Sequence, residues 1–176
     1  MNRWMTIILF SLGLQEANAF APTQLEKIRD QFSSPRHHLA IRKIPAQWVL
    51  ENQNQEENLI AHFRNQDLPD LILSIRVDDL DRFPSESPNL KKYVSYYTKK
   101  YPRAGLQILN DPMKSIMNNN YAYIFSRHEN QDLQSRQSIL WHPQKKVFIF
   151  TCSSKIKNQS KANQLCDEMI SKLHWQ

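Results

Sequence analysis

Glycine is almost missing from this chain: of 176 residues, only Gly13 and Gly105 are glycine. Phosphate-cradling loops and dinucleotide-binding turns need several small residues, because the backbone must approach the ligand closely. Both classes of nucleotide site are therefore excluded. Long apolar runs are missing too, and no stretch beyond the amino terminus approaches the ~20 residues that a membrane-spanning helix needs. The six histidines, His37, His38, His62, His128, His142 and His174, form neither a His-x-x-x-His pair nor a His-Glu-x-x-His motif, so no metal site is read from them. Internal repeats, low-complexity tracts and a second domain boundary are also absent. What remains is one ordinary domain with a short appendage, large enough to hold its core without metal or disulfide. Lys and Arg number 23 against 17 Asp and Glu, a formal charge of +6, which favours acidic partners such as anionic lipid or a polyanionic envelope polymer.

The amino terminus sets the compartment. Arg3 supplies a positive start, Met5 to Leu14 an apolar stretch, and Ala17-Asn18-Ala19 small residues at the two positions that a signal peptidase reads. Residues 1–19 are thus expected to be a cleavable signal peptide, leaving Phe20 first in a mature form with no transmembrane segment. Such a protein is periplasmic or secreted. Export disfavours nucleic acid as a partner.

Along the remaining chain, Thr23-Gln24-Leu25-Glu26 reads as a capping box with Leu25, Ile28 and Phe32 at helical spacing, giving an N-terminal helical segment over 20–37. From 38 to 176 the pattern is that of one α+β domain. Alternation predicts strands at 38–44, 48–50, 59–63 and 71–77, and a loop over 82–89. A helix follows, capped by Ser87 with Pro88 in its first turn, placing Leu90, Tyr93, Val94, Tyr97 and Tyr101 on one face. Further strands are expected around Leu106–Ile108, Tyr121–Phe125, Ser138–Trp141 and Val147–Cys152, joined by short turns that imply antiparallel hairpins. The strand at 147–152 is apolar on both faces, so both must be covered. A last helix from Ser160 to His174 carries Ala162, Leu165, Cys166, Met169, Ile170 and Leu173 on one face. The economical architecture is a single antiparallel sheet of about six strands flanked by helices.

Several of these segments, in this order, resemble the PsbP/DcrB-like domain family. The resemblance is carried by Ile44-Pro45-Ala46-Gln47-Trp48, by the helix start Leu90-Lys91-Lys92-Tyr93, by the polar turn before Tyr121-Ala122-Tyr123, and by the closing strand pair and helix. It spans most of residues 38–175, with Asn118-Asn119-Asn120 where relatives commonly have a glycine. The resemblance implies an antiparallel sheet flanked by helices and a domain that works by docking to other proteins. Together with the signal peptide it points to the bacterial envelope branch. It transfers no catalytic residues, since fold does not carry function across such a family.

Cys152 and Cys166 are the only cysteines. Cys152 shares a strand face with Phe148 and Phe150, and Cys166 lies mid-stripe on the last helix. If that helix packs on that face, the sulfurs meet in a disulfide; otherwise they are two buried thiols filling the core. His128, Glu129 and Asp132 share a turn that reads either as a surface ion site or as a solvated loop. The run Asp78-Asp79-Asp81 reads either as a hydrolase's carboxylates or as a charged strand end. The surface singled out is the outer face of the central helix. There Lys92, Tyr96 and Lys99 line up, Lys91 and Lys100 flank them, and Arg103 follows. Lysines around an aromatic ring suit an anionic partner, since charge steers the encounter and the ring adds contact area. Three functions follow in order of preference. The first is a non-enzymatic envelope protein, without cofactor, that docks to a protein or complex. The second is a binding module for a lipid headgroup or cell-wall polymer through residues 91–103. The third is a hydrolase with an unrecognised site.

Overall fold

Two faces of one strand organise the molecule. The computed structural model describes residues 30–51, 58–80, 89–142 and 146–176; the segment read as a signal peptide lies outside them. Strand β10 (Lys146–Lys155) pairs antiparallel with β5 (Ile72–Asp79) on one side and β9 (Leu133–His142) on the other. Beyond β5 come β4 (Leu59–Asn65) and β3 (Trp48–Leu50). Beyond β9 comes β8 (Asn120–His128), whose outer side pairs with β6 (Gln107–Ile108) and β7 (Met113–Met117). This main sheet has eight strands, and every pairing is antiparallel.

The period-2 rule for strand side chains splits the core in two. On one face Phe148, Phe150 and Cys152 stand opposite Val77, Ile75 and Leu73. They are covered by Ala162, Cys166, Met169 and Ile170 of helix α2 (Gln159–Ser171). On the other face Val147 and Ile149, with Ile139 and Phe125, meet Leu90, Tyr93 and Val94 of helix α1 (Leu90–Lys100). The doubly apolar strand is thus doubly covered, as its sequence requires.

A second sheet of three strands adds to the α2 side. It is made of β1 (Gln31–Ser34), β2 (Leu39–Arg42) and β11 (Leu173–Trp175), with β2 in the middle. Leu39, Ile41 and Leu173 join the α2-side core, and the Trp175 ring lies 4.8 Å from that of Phe148. Trp48 of the Pro-small-x-Trp segment is buried there as well. Its N–H closes a turn onto the Pro45 carbonyl at 2.9 Å.

The α+β class with an antiparallel sheet holds, and several details are corrected. Among the described residues, eleven strands in two sheets are present where about six were expected. Phe32, expected on a helix, sits in β1, where it pairs with Ile41 and packs edge-on against Phe63 at 5.7 Å. Tertiary pairing there overrides a weak helical pattern; the rest of that helix, residues 23–29, lies outside the described residues. The last helix stops at Ser171, and the chain turns at Lys172 so that Leu173–Trp175 can complete the small sheet. Strand β7, Met113–Met117, is an addition to the strands expected from the sequence. At the β7–β8 turn, Asn118 and Asn119 have φ of 48° and 62°, left-handed values that asparagine tolerates better than most residues. The Asn118 side chain also donates to the Ile170 carbonyl at 2.8 Å, tying the hairpin to α2.

Cys152 and Cys166 form a disulfide, with Cα atoms 6.3 Å apart. It staples α2 to the centre of the sheet. Beside it, Arg136 of β9 reaches the Asp167 carboxylate and the Asn163 carbonyl of the same helix.

Candidate functional site

Helix α1 carries the residues singled out in the sequence, and its local chemistry fixes how they are presented. Its start is capped by Asn89, whose side-chain oxygen accepts the Lys92 N–H at 2.9 Å. This corrects the expected cap at Ser87, which with Pro88 lies outside the described residues. Lys99 and Lys100 occupy the last turn, where their charge opposes the negative helix end. A 3-10 turn, Tyr101–Ala104, follows, and Gly105 ends it at φ 79°. Among the described residues, that left-handed value is where glycine's freedom is used.

The inward face is polar as well as apolar. Tyr93 and Tyr97, one turn apart with rings at 4.6 Å, both donate their hydroxyls to the Asp78 carboxylate of β5. The Tyr101 hydroxyl donates to Gln137 at 3.0 Å, and the Gln137 amide donates to Thr151 at 3.2 Å. The Arg127 guanidinium lies 4.5 Å over the Tyr101 ring and pairs with Glu129, which also accepts from Ser135. Burial comes first in raising the tyrosines, reinforced at Tyr93 and Tyr97 by the neighbouring Asp78 charge. Tyr93 is pushed far up and Tyr97 to about 12, while at Tyr101 burial outweighs the cation beside it.

These contacts place the carboxylates proposed for chemistry. Asp78 is the tether that anchors α1 to the sheet, Asp79 is exposed opposite Lys146, and Asp81 lies outside the described residues. Glu129 is turned onto Arg127 and Ser135, away from an ion site with His128 and Asp132. Among the described residues, no group of three His, Cys, Asp or Glu side chains comes together as a metal site. The tyrosine tether was missed in the sequence. Its signal was there, in Tyr93 and Tyr97 four residues apart and an acidic residue ending the preceding strand.

A pH dependence follows. Tyr97 ionises near pH 10 in an unfolded chain but at about 12 when folded. The folded state therefore holds its proton where the unfolded state has lost it, so this stabilisation is complete below pH 10 and is lost between about 10 and 12. Thermal melts should fall steeply over that window, and less steeply in Tyr97→Phe. Equal slopes would contradict the tether.

On the outward side Lys91, Lys92, Lys99, Lys100 and Arg103 are exposed and Tyr96 is half-buried. The Lys100 ammonium lies 4.0 Å over the Tyr96 ring, which packs edge-on against Tyr97 at 5.3 Å. Tyr96 therefore presents its face to a cation while its edge continues into the Asp78 tether. From Asn89 to Asn110 the chain has no acidic residue. Among the described residues this face is rich in positive charge.

No family model matches the sequence, and no curated protein does. Similar solved structures are found. The solution structure of cyanobacterial PsbP (CyanoP) from Synechocystis aligns with a TM-score of 0.59 at 14% identity, over 83% of this chain and 91% of that one. LpqN of Mycobacterium tuberculosis, involved in cell envelope biogenesis, aligns with a TM-score of 0.56 at 12% identity, over 88% and 96%. The Ran-binding protein Mog1p of Saccharomyces cerevisiae aligns with a TM-score of 0.55 at 8% identity, over 82% and 94%. At such identities the likeness is one of fold, and the fold of this chain is PsbP-like.

Proposed function

We propose that the protein is an exported, non-enzymatic envelope protein that docks to a partner protein or complex through the outer face of α1. The observation that carries this reading is the row of exposed basic residues Lys91, Lys92, Lys99, Lys100 and Arg103, with Lys100 stacked on Tyr96. Asp78 and Glu129 are occupied in holding the fold, which supports a binding role over catalysis. Two of the similar structures lend support in kind: LpqN is involved in cell envelope biogenesis, and Mog1p binds another protein, Ran. Among the described residues no helix is long and apolar enough to cross a membrane. The signal peptide read over residues 1–19 supports a periplasmic or secreted form.

The binding test is ionic strength. Screening lengths shrink from about 10 Å at 0.1 M salt to about 3 Å at 1 M. Affinity for an acidic protein partner should therefore fall at least tenfold over that range, and Lys92→Glu/Lys99→Glu should imitate high salt. A partner held equally by both proteins at every salt concentration would contradict the assignment of this face. Turnover of a substrate lost in Asp79→Ala would return the hydrolase reading.

A further inference from the structure

The β7–β8 hairpin shows an apolar tip that the fold does not use. Ile116 and Tyr121 stand directly opposite each other across the two strands, 71% and 62% exposed; Met113, at the far end of β7, faces the other side of the sheet. Few other large apolar side chains among the described residues are as open. The Lys114 ammonium lies 4.1 Å over the Tyr121 ring, so a cation sits within the apolar group.

Strand geometry fixes which way the tip faces. Phe125 and Tyr123 of β8 belong to the core beneath α1, and Tyr121 is in step with them. Directly paired residues share a face, so Ile116, opposite Tyr121, and Lys114, opposite Tyr123, point to the same side of the sheet as α1. The lysines of α1 and the apolar hairpin tip therefore belong to one side of the molecule. Between Asn89 and His128 the only acidic residue is Asp111, against Lys91, Lys92, Lys99, Lys100, Arg103, Lys114 and Arg127. The exposed acidic pair Asp167 and Glu168 belongs to α2, on the opposite side.

We infer that the β7–β8 hairpin inserts into the surface of an anionic lipid bilayer, with Ile116 and Tyr121 entering the interface and Lys114 meeting headgroup charge. A second copy of the chain fits less well. A stable protein dimer buries about 800 Å² on each partner, far more than two side chains on a hairpin supply, and the predominantly basic surroundings would repel their own image. Shallow insertion needs only a few apolar side chains beside basic ones, and tyrosine suits the interface because one end is apolar and the other polar. This assignment concerns a different surface from the α1 docking face and stands or falls apart from it.

The test is co-sedimentation of the mature protein with vesicles of phosphatidylcholine alone and of phosphatidylcholine with 30% phosphatidylglycerol. Binding is expected to the anionic vesicles only. Ile116→Ser/Tyr121→Ser should weaken it about tenfold or more, and Lys114→Glu by a comparable factor. Leu50→Ser, which removes an exposed apolar side chain of β3 at the far edge of the sheet, should leave binding unchanged. Melting temperature reports that each variant is folded, and the high exposure of these positions predicts little change. No binding to either vesicle, or binding that the hairpin pair leaves intact, overturns the assignment. Binding lost in Lys92→Glu/Lys99→Glu but kept in the hairpin pair also overturns it, while leaving α1 as the binding face.

Discussion

Replacing both cysteines, Cys152→Ala/Cys166→Ala, should destabilise the protein by roughly 3 kcal/mol and lower its melting temperature by about 10 °C. The bond closes a short loop, with partners 14 residues apart in sequence. It joins the centre of β10 to the middle of α2, so without it the unfolded chain regains the freedom of that whole connection. Both residues are almost fully buried, so the truncated side chains also leave unfilled space. Treating the wild type with a thiol reductant should reproduce most of the loss, and the same treatment should leave the variant's melt unmoved. A wild type whose melt is insensitive to reductant would show that the staple contributes nothing.

Tyr93→Ala is the second large effect, about 3–5 kcal/mol, as for other buried aromatic truncations. The ring is 1% exposed in the core beneath α1. A series separates the packing from the tether. Tyr93→Phe keeps the ring and removes one hydroxyl from Asp78, which keeps Tyr97; this should cost about 1–2 kcal/mol. Asp78→Ala deprives both hydroxyls of their acceptor and should cost more than Tyr93→Phe. Denaturant unfolding of the three variants checks the order. If Asp78→Ala proved as stable as wild type, the tether would be ornamental and Asp78 would be free for another role.

The helices and the central strands were legible because their patterns are strong. Leu73, Ile75 and Val77 alternate cleanly, and Leu90, Tyr93, Val94 and Tyr97 recur at helical spacing. The meeting of Cys152 and Cys166 was half legible: strand parity and helix face placed each sulfur on its own element, and only the packing of α2 on that face decides between a disulfide and two buried thiols. The short strands were not. Gln31–Ser34 and Met113–Met117 are short hairpin arms with weak alternation of their own, and Leu173–Trp175 is held by β2, far away in sequence, so nothing local in them separates strand from loop. The basic face of α1 was visible as a row of residues, but its inner architecture was not. That Tyr96 backs onto Tyr97, and Tyr97 onto Asp78, depends on where β5 lies beneath the helix. The exposed hairpin tip went unseen because its strand did.

The central claim is that the protein acts by docking through α1. It is tested most directly by crosslinking in the native host, followed by capture and mass spectrometry, with wild type beside Lys92→Glu/Lys99→Glu. Wild type should yield one dominant protein partner, and that partner should vanish in the double variant while the variant's melting temperature stays within a few degrees of wild type. The same partner recovered from both, or no specific partner from either, would contradict the claim.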